Sequence, residues 1–324
     1  MTFKQKLAVC LLRYRITSSY LKINLSVVSI FPKLSLITIA VWLVYSENCF
    51  AENFPPVSIS TKQEALDFLN TIDQNKENKL WPNIKPKLFY DNLKLNLENP
   101  MSFYPGRSTN FCSYGALSYL VMQSDPLGYI RFMYQLYANG KANYNGNYFH
   151  PTAAVMNAAG SLRFKGVLDI RHAEQMWFLV LADKFKGYLN IINKKYNPGD
   201  ENTFWASTNL AKYNRMVRKM CHYKVESVGS DLFKPGVKDL YAYLKKRMDS
   251  TTIVTLYINN RIIHKKTHDK VKLSIPTHFI ILREIVKVND ILAIRYWDYG
   301  GETLLQLYPD LVKKIVFGIS ILRK

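Results

Sequence analysis

Apolar residues recur every three or four positions through most of the chain, then give way beyond residue 250 to β-branched and aromatic runs. Thr61 with Glu64 three residues on is a capping-box pattern that starts a short amphipathic helix over Lys62–Leu69. Pro100–Pro105 reads as extended and irregular. From Cys112 the pattern is helical again, with Leu117, Leu120 and Val121 on one face, until Ser124-Asp125-Pro126 stops it. The 3.6-residue period returns over Leu127–Tyr137, Pro151–Ala159, His172–Lys186, Ser207–Met220 and Lys238–Met248. Asn, Gly and Pro mark Asn139–Asn147 and Asn197–Asn202 as loops. Strands are predicted at Thr251–Ile258, Thr277–Ile285, Ile291–Trp297, Thr303–Leu307 and Lys314–Ile321. Helices first and an antiparallel sheet after is an α+β plan, with residues 52–250 mainly helical and 251–324 antiparallel β, and a cleft between the two.

The first 51 residues have a different character. Residues 1–33 carry six cations and no acid, and an apolar run from Leu34 to Tyr45 follows, closed by small residues around Cys49 and Ala51. Basic region, apolar region and small-residue site together read as a secretory signal peptide cut after Ala51, which implies export. A membrane anchor over Ile23–Tyr45 is the alternative, with Pro32 and Lys33 in its middle counting against it. Residues 52–60 form a Pro/Ser-containing lead-in.

Composition sharpens this only a little. Of 324 residues, 48% are hydrophobic and 21% charged, which excludes a disordered chain. Removing residues 1–51 takes away six of the 44 cations and one of the 24 acids, leaving a net charge of +15. The longest basic clusters, Arg215–Lys219 and Arg261–Lys272, carry no zinc-finger or helix-turn-helix signature, so specific nucleic-acid binding is not expected. A basic surface suits attraction to anionic envelope polymers. Four cysteines are too few for a disulfide scaffold; the two in the exported part, Cys112 and Cys221, are free to pair in an oxidising compartment.

Candidate chemistry centres on Cys112, His278 and Asp298. Cys112 stands where a loop becomes a helix, after three competent caps at Ser108, Thr109 and Asn110. A thiol in the first turn of a helix feels the positive end of the dipole, which favours thiolate, and free N–H groups there can hold an oxyanion. His278 opens one strand and Asp298 closes the next, with one turn near Val288–Asp290 between them. A turn centred on Val288 sets the two opposite each other on one face; a turn centred on Asn289-Asp290 shifts the pairing by up to three residues. Paired, Asp298 fixes the His278 tautomer and His278 takes the proton from Cys112. The competing reading makes Cys112 a small core residue.

The order Cys at a helix start, His at a strand start and Asp about twenty residues on resembles papain-like cysteine peptidases. Thr277-His-Phe-Ile-Ile-Leu282 and Tyr296-Trp-Asp-Tyr-Gly-Gly301 are similar to the His and Asp strands of the bacterial branch that includes the bacteriocin-processing leader peptidases. The resemblance covers Tyr104–Met122 and Asp239–Lys324 and leaves 128–222 unmatched. It implies a papain-like fold in which a helical half bearing Cys112 packs on an antiparallel half. It also implies Cys112 as nucleophile, His278 as general base, Asp298 as orienting acid, a peptide or protein substrate and no cofactor. Gly106 stands where that branch usually carries a Gln as oxyanion donor; Asn110 is the nearest amide side chain and the substitute candidate. Transglutaminase-like and cell-wall amidase folds share the Cys–His–polar order, so amidase, transamidase or deamidase chemistry stays open, as does a binding protein on the same fold.

The remaining candidates read as structural. His264 and His268 have zinc-like spacing but lie in a Lys-rich connection with no glutamate in the zincin position, so no metal is expected. Cys221-His222 are adjacent and point apart on a helix. His172 reads as a helix-start residue, His150 as a turn or cap residue, and the abundant Tyr and Phe as core.

Overall fold

The computed structural model describes residues 59–106, 109–162, 170–185, 195–260 and 275–324, all within one compact unit, Asn53–Lys324. The segment read as a signal peptide or anchor, His264, His268 and the Arg261–Lys272 cluster fall outside the described residues. The architecture is α+β with antiparallel sheets. Helices α1 (Lys62–Asn70), α2 (Pro86–Glu98), α3 (Cys112–Ser124), α4 (Pro126–Asn139), α5 (Ala153–Ala158), α6 (His172–Phe185) and α7 (Leu210–Cys221) come first. Between them lies a small hairpin, β1 (Ala142–Tyr144) and β2 (Asn147–Phe149). Then come β3 (Lys224–Gly229), α8 (Leu240–Lys245), β4 (Thr252–Ile258), β5 (His278–Val288), β6 (Ile291–Asp298), β7 (Gly301–Leu307), α9 (Pro309–Ile315) and β8 (Val316–Arg323).

The caps explain the helix starts. Thr61 and Glu64 form the reciprocal capping box at α1, and Asp125 accepts from the Gly128 N–H to end α3 and begin α4. Helix α2 lies where the sequence reading predicts no element, and three further elements differ from expectation. Asn139–Asn147 is not a plain loop: Asn145-Gly146, both at positive φ, close the β1–β2 hairpin. Lys224–Gly229, inside the mainly helical stretch, is an edge strand of the main sheet, paired with β8. The predicted strand from Lys314 is preceded by α9, which Pro309 opens.

The six strands run in the order β3-β8-β4-β5-β6-β7. Their two faces bury separate cores. Tyr257, Phe279, Ile281 and Trp297 pack against the helices. Leu256, Ile280, Leu282 and Ile294 pack against Leu244 of α8 and Val312 of α9. Helix α3 is buried on nearly every side, because it passes between the other helices and the sheet. Gly115 permits that approach: a Cβ there would meet Pro105 at 3.0 Å and the Trp297 ring at 3.1 Å.

Candidate active site

Cys112 is the first residue of α3 and is partly buried. The N-cap is Phe111, and no side chain caps the helix. Thr109 instead accepts from the Phe111 N–H at 3.3 Å, one residue short of the helix proper. The first-turn N–H groups of a helix have no intrahelical acceptor, so this end presents donors and the positive dipole around the thiol. Sγ lies 3.8 Å from the Thr277 carbonyl oxygen, at the entry to β5. The helical half and the sheet thus meet at this thiol.

His278 and Asp298 come together by a route the simple hairpin picture lacks. The turn is the two-residue Asn289-Asp290, with Val288 opposite Ile291. Carried straight on, that register would set Asp298 opposite Ile281, on the face of Phe279 rather than of His278. A bulge at Arg283 slips the pairing by one residue, so Ile281 faces Trp297. His278 and Asp298 then share a face as diagonal neighbours, not as an opposed pair. Nε2 of His278 and Oδ1 of Asp298 are 2.5 Å apart, with the two residues 1% and 6% exposed.

The imidazole is enclosed on its other sides. Tyr299 stacks on it, ring centroids 4.5 Å apart and planes 17° from parallel. Tyr299 has φ 42°, in the left-handed region that disfavours a bulky side chain, and Gly300 follows at φ 84° to close a two-residue turn. Nδ1 is buried without a hydrogen-bond partner, and Cys112 is among the groups whose proximity raises the imidazole pKa. Burial alone would push the imidazole toward its neutral form; the charge and hydrogen bond of Asp298, joined by Cys112, outweigh it and raise the His278 pKa to about 10.

Compared with models of protein families, with curated proteins and with solved structures, the chain matches none. The site is thus read from its own geometry.

Asn110 donates its side-chain amide to the Thr203 carbonyl at 2.9 Å and its backbone N–H to the Glu201 carbonyl at 2.8 Å. It ties the cysteine loop to the segment 201–204, and only its second amide hydrogen is left for an oxyanion. Beside that tie, the Phe204 side chain is 76% exposed. Gly106 sits at φ 83°, and a Cβ there would meet Ile170 at 3.0 Å, so this backbone does not carry a longer residue at that position. The helix N-terminus, with its first-turn N–H groups, remains as the candidate oxyanion donor.

Cys221 is a free, buried thiol whose pKa is pushed up to about 12 by burial; no disulfide joins it to Cys112. His222 ends α7 at φ 55° and is exposed. His172 is the first residue of α6, and its Nδ1 accepts from the Lys85 N–H at 3.2 Å. His150 is exposed just after β2, before Pro151. Arg215, Arg218 and Lys219 lie exposed along one side of α7. Among the described residues no cluster of three or more His, Cys, Asp and Glu is arranged to hold a metal, and no helix is long and apolar enough to cross a membrane. Three features escaped the sequence reading: the Arg283 bulge, the Tyr299 stack and the buried Glu174. Only the Tyr-Gly-Gly turn left a readable trace, as a turn signal.

Proposed function

We propose that this is an exported cysteine hydrolase of papain-like layout that cleaves a peptide bond. The observation that carries the reading is the buried His278, held by Asp298 on one ring nitrogen and acted on by Cys112, at an uncapped helix N-terminus. The raised His278 pKa keeps the Cys112 proton on the imidazole while the sulfur attacks the acyl carbon. The helix N–H groups hold the oxyanion, and the imidazolium returns the proton to the leaving amine. Water then opens the thioester, releasing the acid and restoring the thiol. Export rests on the basic and apolar N-terminal pattern.

A second reading, a binding protein on the same scaffold, draws support from Gly106 and from the engagement of the Asn110 amide. Turnover of a peptide library separates the two. Cleavage by the wild type that disappears in Cys112→Ala and His278→Ala establishes the hydrolase. Peptide binding without cleavage, undiminished in Cys112→Ala, establishes the binding protein.

A further inference from the structure

The segment between α2 and α3 is clamped from both sides. On the sheet side, Trp297 Nε1 donates to the Met101 carbonyl at 2.9 Å. A Cβ on Gly300 would stand 3.2 Å from the carbonyl oxygens of Ser102 and Phe103, so the turn after Asp298 is seated directly on this backbone. On the helical side, Arg171 donates to the same Ser102 carbonyl at 3.2 Å and pairs with Glu174 Oε1 at 2.9 Å. The Tyr104 N–H donates to Glu174 Oε2 at 3.4 Å. Glu174 has no exposed surface, and Asn92 of α2 bonds both its side chain (3.5 Å) and its N–H (3.1 Å). A carboxylate without solvent contact is costly unless its partners hold it in place, and it holds them in return.

We propose that Glu174 is a positioning residue for the Cys112–His278–Asp298 site. With Arg171 it fixes Met101–Tyr104 against the Trp297–Gly300 end of the β6–β7 hairpin, and so sets where Asp298 and Tyr299 hold His278 relative to Cys112. This rests on the thiol–imidazole reading given above. The charged and titratable groups facing Glu174 among the described residues are few. Arg171 precedes its own helix, Tyr129 faces it from α4, and α2 contributes the uncharged Asn92. Burial raises the Glu174 pKa against the pull of Arg171 and of the hydrogen bonds, to about 7. The clamp therefore tightens as the carboxyl ionises near neutrality and loosens as it is protonated below.

The test reads iodoacetamide alkylation of Cys112 against pH in the full chain. Wild type should show an added inflection near pH 7. Glu174→Gln should lose that inflection and about tenfold in rate at pH 8, because small displacements of reacting groups are costly. Arg171→Met, at a partly exposed position, keeps the carboxyl and should move the inflection to higher pH, which provides the same test should Glu174→Gln not fold. Wild-type rates and pH profiles in the folded variants, with the His278 dependence intact, overturn this inference alone. A wild-type rate unaffected by His278→Ala overturns the site reading and this inference with it.

Discussion

The two turns at opposite ends of β6 solve the same geometric problem with different residues. At the far end, Asn289 takes φ 54°, a conformation asparagine adopts at little cost, between the exposed Val288 and Ile291. At the site end, Tyr299 takes φ 42° and places its ring over His278. A tyrosine in that region costs on the order of 1–3 kcal/mol relative to a relaxed backbone. The lesson is one of location. The hairpin closes without strain where it faces solvent and carries strain where it covers the imidazole, as expected of a site whose surroundings over-determine its geometry.

That contrast can be broken at several levels. Cys112→Ala should remove peptide turnover entirely, while the partly buried position costs only about 1 kcal/mol of stability or less by thermal melting. Asp298→Asn should lower turnover by about 10²–10⁴-fold, since the imidazole loses both its orientation and the charge that favours its protonation. The same pair gives a pH signature. The His278 pKa is raised in the fold to about 10 from an unfolded value of about 6.5, so the stability it contributes is fully present below pH 6.5 and is lost as the pH rises through about 10. The urea midpoint gap between wild type and His278→Gln should therefore narrow between pH 6 and pH 10, and a gap that widens would contradict the assignment.

Smaller effects sharpen the comparison. Gly115→Ala adds a methyl facing Pro105 and Trp297 and should destabilise by about 1–3 kcal/mol in denaturant titration, with slower Cys112 alkylation as α3 is pushed from the hairpin. Tyr299→Gly should separate function from stability. It relieves the left-handed strain, worth about 1–3 kcal/mol, yet uncovers His278 and slows turnover about tenfold. Asn289→Gly at the opposite turn should leave both melting and turnover nearly unchanged, within about 0.5 kcal/mol.

Much of this molecule was legible in its residues. The capping box at Thr61, the stop at Asp125-Pro126 and the β-branched run of β4 are local signals, and local signals survive in a sequence. Cys112, His278 and Asp298 could be singled out because nucleophilic chemistry needs those side chains at element ends. The Asn145-Gly146 hairpin and the Pro309 helix start were also written there, in turn and cap residues that the period of the flanking apolar positions overshadowed. The bulge at Arg283 was not. It depends on two cores competing for the two faces of β5: Phe279 and Ile281 on one, Ile280, Leu282 and Ile285 on the other. Nothing within the strand itself marks where the alternation slips. Glu174 was likewise hidden, because a glutamate in the first turn of a helix reads as an exposed, dipole-favoured residue until its surroundings are known.

The most direct test of the Cys112–His278–Asp298 assignment is the alkylation of each cysteine by iodoacetamide, read by mass spectrometry in wild type and His278→Ala. Cys112 should react rapidly at pH 6 in the wild type and far more slowly in the variant, while buried Cys221 stays inert in both. Equal rates at Cys112 in the two proteins would show that the imidazole does not act on the thiol, and the catalytic reading would fall.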